Sequence, residues 1–158
     1  VHFAIEGSQV KLKEFIILAK KKGYASGEAK KRLPDGSRRI EFKKGAYSYV
    51  DKYKGSREFG GKETVKFEGK PVWEMEYNGK VFGKEKKHEE IYSFLRECLR
   101  RVPESAPYRG PKSMRIGKLE YENDWNGNIA LFKGKESILE NGKKVYSLKY
   151  SGKELVKK

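Results

Sequence analysis

The sequence predicts an α+β domain: one continuous, curled antiparallel sheet of roughly eight strands, with two helices on its aromatic face. Three observations predict it. Two stretches carry apolar residues at helical spacing, the segments after each alternate aromatic and polar residues with a period of two, and the chain reads twice against itself.

The repeat is the organising feature. Residues 61–82 read GKETVKFEGKPVWEMEYNGKVF and residues 134–155 read GKESILENGKKVYSLKYSGKEL, with nine of 22 ungapped positions identical. Trp73/Tyr146, Met75/Leu148 and Val65/Ile138 are physical equivalents. With a one-residue shift the match continues upstream, where Gly45, Tyr49, Asp51, Tyr53 and Gly55 meet Gly117, Tyr121, Asn123, Trp125 and Gly127. A repeat this long is no solenoid unit, so two copies related by a pseudo-twofold axis are expected. Residues 1–158 then form a single domain made of repeats at about 8–83 and 88–158.

Each copy opens with a helix. Leu12, Phe15, Ile16 and Ala19 form the first apolar stripe, with Ser8 as its expected N-cap and Gly23 as its expected stop. Ile91, Phe94, Leu95, Cys98, Leu99 and Val102 form the second, which Pro103 forbids from continuing. About four strands follow each helix. The pairs Asp35-Gly36, Asn78-Gly79, Asn126-Gly127 and Asn141-Gly142 read as hairpin turns, because such residues reach positive φ at low cost. Trp73, Met75 and Tyr77 face one way, and Val72, Glu74 and Glu76 the other. Tyr146, Leu148 and Tyr150 repeat the aromatic side.

Charge is the strongest compositional signal. Lys+Arg is 37 against Asp+Glu 22, a formal net charge of +15. Two causes compete: a polyanionic partner, above all nucleic acid, or the Lys- and Glu-rich surface common among hyperthermophile proteins. The excess is spread evenly, with 19 basic and 11 acidic residues up to Gly83 and 18 and 11 after it, so there is no basic arm. No apolar run is long enough for a membrane span, and the opening VHFAIEGSQV lacks the pattern of a signal peptide. A cytoplasmic location is therefore expected.

The runs RLPDGSRRIEF, KPVWEMEYNG and RRVPESAPYRGP, with the aromatic strand pairs, resemble an uncharacterised family of small duplicated α+β domains. Members stand alone or behind helix-turn-helix regulators. The resemblance covers nearly the whole chain and implies the duplicated fold, but it brings no catalytic residue, cofactor or ligand.

Sites for chemistry are sparse. Cys98 is the only cysteine, which excludes an intrachain disulfide and a Cys-rich zinc site; on the apolar stripe it reads as a buried, inert thiol. His2 and His88 lack metal-motif spacing and read as surface residues. No Gly-x-Ser-x-Gly elbow or P-loop occurs, and the 17 glycines stand mostly singly, as turn punctuation. No cofactor or metal is implied. Acid–base work by Asp51 or a Glu with a tyrosine is the weakest reading.

Two binding readings remain. In the first, an aromatic-lined cleft between sheet and helices takes a small ligand. Its residues are Tyr49, Asp51, Tyr53, Trp73, Tyr77, Tyr121, Asn123, Trp125, Tyr146 and Tyr150, with Tyr108 and Arg109 on the stiff loop Pro107–Pro111. Asp51 and Asn123 are then polar anchors; alternatively each bonds a tyrosine hydroxyl or a backbone group within a solid core. In the second reading, nucleic acid binds the basic helix faces at Lys13, Lys20, Lys21, Arg96, Arg100 and Arg101, because Glu74 and Glu76 repel phosphates from the open sheet face. The chain is a monomer or a homodimer in either case, with no membrane partner.

Overall fold

All nine strands lie in one antiparallel sheet with the order β1-β2-β3-β4-β5-β9-β8-β7-β6, left open between its two edge strands. The computed structural model describes the backbone of residues 2–26 and 30–155 and the side chains of residues 11–23 and 31–155. The helix α1 (His2–Ser26) precedes β1 (Lys30–Arg32), β2 (Arg38–Lys44), β3 (Tyr47–Gly55), β4 (Glu58–Phe67) and β5 (Lys70–Val81). The helix α2 (His88–Leu99) precedes β6 (Ser113–Ile116), β7 (Leu119–Asn128), β8 (Leu131–Glu140) and β9 (Lys143–Glu154). The expected strand total of about eight is exceeded by β1, which pairs with β2 across the Asp35-Gly36 turn.

Both apolar stripes face inward. Leu12, Phe15, Ile16 and Ala19 of α1, and Ile91, Phe94, Leu95, Cys98 and Leu99 of α2, join one core with the inward residues of the strands. The helix α1 packs on β2 and β3, α2 packs on β7, and the helices touch each other. The boundaries of α1 differ from expectation. It begins before Ser8, whose side chain lies outside the described residues, and it runs through Gly23. Gly23 serves close packing instead, since a Cβ there would lie 3.0 Å from Ile40 Cγ2.

Turn chemistry is legible at some pairs and misleading at others. Asp35 Oδ1 accepts hydrogen bonds from the Ser37 amide at 3.0 Å and from the Ser37 hydroxyl at 2.5 Å, which closes the first turn. Asn141-Gly142 turns between β8 and β9, with φ of 51° and 82°. Asn78-Gly79, in contrast, lies inside β5, and Asn126-Gly127 lies near the end of β7 rather than at a turn. Gly79 is a packing glycine: a Cβ there would meet Phe59 Cζ at 2.6 Å. A residue's tolerance of positive φ does not oblige it to turn.

Positions that align in the sequence share some local geometry. The β4–β5 ladder shifts register between Val65 and Lys66, and the β8–β9 ladder shifts between Ile138 and Leu139. Glu68-Gly69 carries the same positive φ pair as Asn141-Gly142. In the central β5–β9 ladder, Tyr77 stands opposite Tyr150.

Candidate functional site

The inward face of the sheet carries a buried network of charged and hydroxyl groups. Strand alternation aims Asp51 from β3, Glu63 from β4, Asn123 from β7 and Glu136 from β8 at the interior, and all four are at most 3 % exposed. Asp51 stands opposite Glu63, and Asn123 opposite Glu136, so matched positions form matched cross-strand pairs. Burying such groups carries a desolvation cost that only partners can offset.

Near β7–β9 the partners are complete. Glu136 accepts hydrogen bonds from Arg109 Nη2 at 2.5 Å, from the Tyr146 hydroxyl at 2.6 Å and from the Tyr121 hydroxyl. Tyr150 donates to Asn123 Oδ1 at 2.8 Å, and Asn123 Nδ2 donates to the Gly110 carbonyl at 2.9 Å. The Gly110 amide donates to the Tyr121 hydroxyl at 3.1 Å. The loop Ala106–Gly110 thus runs as a buried strap whose backbone and Arg109 answer the sheet's polar groups. Tyr108 adds a ring stacked on Phe132, 3.9 Å between centroids and 10° from parallel, with Trp125 edge-on at 6.2 Å.

Near β3–β5 the same positions are answered differently. Tyr77 donates to Asp51 Oδ1 at 2.6 Å. Glu63 Oε1 forms a buried ion pair with Lys20 Nζ of α1, 3.2 Å away. Lys20 Nζ also donates to the Tyr108 carbonyl. Glu63 Oε2 and Trp73 Nε1 have no partner among the described residues, though both side chains are wholly buried.

The electrostatics follow from burial. Desolvation, aided by the charge of Glu63, raises the Asp51 carboxyl to about 7, against the opposing pull of the Tyr77 hydrogen bond, Arg109 and Lys20. Desolvation lowers the Lys20 ammonium despite the attraction of Glu63. Tyr121 and Tyr146 are held far above their ordinary range, first by burial and then by the charge of Glu136, so both remain donors.

Of the ligand residues expected from sequence, Tyr49, Asp51, Trp73, Tyr77, Tyr108, Arg109, Tyr121, Asn123, Tyr146 and Tyr150 are buried, while Tyr53 and Trp125 are partly exposed. Glu63 and Glu136 were missed. Their identity at aligned positions and their parity with Val65 and Ile138 are signals that point inward, against the general tendency of a strand glutamate to face water. Among the expected nucleic-acid contacts, Lys20 does not lie on an outward face: it is 1 % exposed. A long amphipathic side chain one turn from Ile16 follows the apolar stripe inward when a carboxylate waits there. Arg96 and Arg100 pair with Glu89 and Glu97, whereas Lys21 and Arg101 are exposed and Lys13 is half-buried. His88 opens α2, with Nε2 3.4 Å from the Gly83 carbonyl oxygen, and the His2 side chain lies outside the described residues.

A family model described as a domain of unknown function (DUF5680) matches residues 51–155, more than half of the chain. The chain belongs to that family. The DUF5680 match starts at Asp51 and takes in every network residue named above except Lys20. No curated protein and no solved structure matches the chain. No helix among the described residues is long and apolar enough to cross a membrane, and no group of three metal-ligating side chains occurs among them.

Proposed function

We propose that this chain is a non-enzymatic binding module that holds a small, neutral, polar ligand between α1 and the first half of the sheet. The observation that carries the reading is a pair of buried polar atoms without a partner among the described residues, Glu63 Oε2 and Trp73 Nε1. A buried polar atom without a partner costs about 1–3 kcal/mol, so each such atom in a native protein calls for an explanation. The repeat supplies one. At the matched place in the second half, Glu136 takes three donors, two of them tyrosines and one from the strap. Tyr146, the mate of Trp73, already bonds Glu136.

The strap suggests the chemistry of the ligand, because it is what fills the second half. It presents a donor to a glutamate and a carbonyl to an amide. A ligand for the first half then offers a hydroxyl or amide N–H to Glu63 and an oxygen to Trp73 Nε1. It is neutral because Lys20 and Arg109 already balance Glu63 and Glu136, and a further buried charge is costly. Phe15 of α1 makes ring contacts with Phe42 and Tyr47 of the first half of the sheet.

The reading rests on a finer view of the fold. We take the two halves as duplicated copies about a pseudo-twofold axis passing between Tyr77 and Tyr150, with both helices on the aromatic face. Matched bulges, matched turns and the opposition of the two tyrosines support it.

The test is a thermal-shift screen of small hydroxyl- and amide-bearing compounds, followed by titration of the Trp125→Phe variant, in which Trp73 is the only tryptophan. A compound that binds is expected to raise Tm and shift Trp73 emission. Trp73→Phe removes one donor and is expected to weaken that compound about tenfold. Failure of every compound to raise Tm, together with a Glu63→Gln variant more stable than wild type, would identify the pair as strained core and end the reading.

A further inference from the structure

A second feature lies away from the interior and does not depend on the ligand proposed there. On the face of the sheet turned from the helices, Lys135 of β8 and Lys149 of β9 stand directly opposite each other. Like charges so placed repel and destabilise a sheet. Together with Lys80, Lys144, Ser137 and Ser147 they line an open hollow of about 530 Å³. The hollow adjoins a cleft of about 740 Å³, which includes Lys84, Lys86, Lys87, Lys143 and Glu140 in its wall, and Lys144 lines both.

The acids on this tract are already spent. Glu140 pairs with Lys87 at 2.8 Å and with Lys118 at 3.7 Å, and Glu58 pairs with Lys80 at 3.5 Å. Lys84, Lys86, Lys135, Lys143, Lys144 and Lys149 have no acidic partner among the described residues. Of the two glutamates expected to close this face to phosphates, Glu74 is paired with Lys62 at 2.7 Å, and Glu76 lies 4.0 Å from the same lysine.

We propose that this lysine tract is a binding site for the phosphate backbone of double-stranded nucleic acid. Three observations choose that occupant over a free phosphate compound. The charges are strung along two adjoining clefts, which suits a repeating chain of phosphates and not one group. The tract is made of lysines, point charges without the bidentate geometry by which arginine fixes a single phosphate. The rings in the walls are already engaged, Phe59 against Tyr77, Tyr92 and Tyr146 and Phe82 under Lys80 Nζ at 5.5 Å, so stacking of unpaired bases is unsupported. Binding is therefore independent of sequence and steeply sensitive to salt.

The experiment is fluorescence anisotropy with a labelled duplex of about 20 base pairs, titrated from about 50 to 200 mM salt, with each variant's fold checked by its melting curve. If most of the six unpaired lysines meet phosphates, the log–log slope is expected at roughly −3 to −5. Lys135→Ala, Lys144→Ala and Lys149→Ala combined are expected to reduce the slope by about 2–3 and weaken binding at least tenfold. That variant is expected to melt no lower than wild type, because it relieves the opposed pair. Lys13→Ala, Lys21→Ala and Arg101→Ala combined are expected to change the slope by less than about one. An equal loss in the helix variant overturns the assignment. So does an absence of duplex binding at about 100 mM salt, whether or not tripolyphosphate binds the tract.

Discussion

Tyr77 and Tyr150 stand opposite each other in the β5–β9 ladder, and each donates its hydroxyl to the matched residue of its own half, Asp51 at 2.6 Å and Asn123 at 2.8 Å. One acceptor is ionisable and the other is not, so the second half serves as a built-in control for the first. Burial, then the facing Glu63, raises Asp51 from 3.8 to about 7. The folded state therefore keeps a proton that the unfolded chain releases near pH 4. Between those values the unfolded state binds fewer protons, so this group lowers stability as pH rises and is level above its folded value. Asp51→Asn reproduces the Asn123 arrangement and removes the effect. It is expected to match wild type near pH 4 and to exceed it by on the order of 1–4 kcal/mol at pH 8. Urea melts at the two pH values check this, and curves for the two proteins that stay parallel would refute it.

Glu136 and Arg109 form the most complete part of the network, with three hydrogen bonds between them and both side chains buried. Glu136→Gln leaves the guanidinium without its counter-charge and is expected to cost about 3–5 kcal/mol. Arg109→Met combined with Glu136→Gln removes both charges and is expected to recover part of that loss. A double-mutant cycle by urea denaturation measures the coupling; a value below about 0.5 kcal/mol would mean that Tyr121 and Tyr146 alone hold the carboxylate.

Much of this architecture was readable from local pattern. The helical stripes predicted the buried residues of both helices because an apolar face at i, i+3, i+4 has one stable place to go. Parity predicted the inward side of Trp73, Tyr77, Tyr146 and Tyr150 for the same reason. The network was less readable, because its members are close in space and far apart in the chain. Lys20 is buried only because Glu63 and the Tyr108 carbonyl wait for it, 43 and 88 residues away. Its place one turn from Ile16 sets it beside the stripe, but a lysine there ordinarily turns its ammonium out to water. The strap is stiff by sequence, yet a proline- and glycine-rich segment reads the same whether it covers a site or fills one.

Two packing glycines give a prediction of their own. Gly79 on β5 and Gly152 on β9 occupy aligned positions in the sequence, and each makes room for a phenylalanine ring from the adjacent strand, Phe59 or Phe132. A Cβ at Gly79 would meet Phe59 Cζ at 2.6 Å, whereas a Cβ at Gly152 would also meet the Glu74 carbonyl oxygen at 2.6 Å. Ring atoms yield by rotation more easily than backbone yields. Gly79→Ala is expected to cost about 1–2 kcal/mol and Gly152→Ala about 3 kcal/mol or more. Gly69→Ala is the comparison, since its Cβ would meet nothing within 4 Å and only its positive φ of 79° is strained. Thermal melts rank the three, and Gly69→Ala as the most harmful would show that turn strain outweighs packing.

Cys98 offers the simplest probe of the assembled core. It lies on the inward face of α2 with no measurable exposure, and burial, reinforced by the charge of Glu136, pushes its thiol up to about 12. A thiol in that state is protonated at neutral pH and out of reach, so two independent conditions for nucleophilic attack fail. Labelling by a thiol-reactive disulfide reagent at pH 8 is expected to follow opening of the fold, at a rate at least 1,000-fold below that of the urea-unfolded chain if stability is on the order of 5 kcal/mol. Glu136→Gln lowers that stability and is expected to speed labelling in proportion to its effect in urea. Rapid labelling of the native protein would mean that α2 lifts from the sheet independently of global unfolding, and the helix, not the network, would then be the mobile part of the domain.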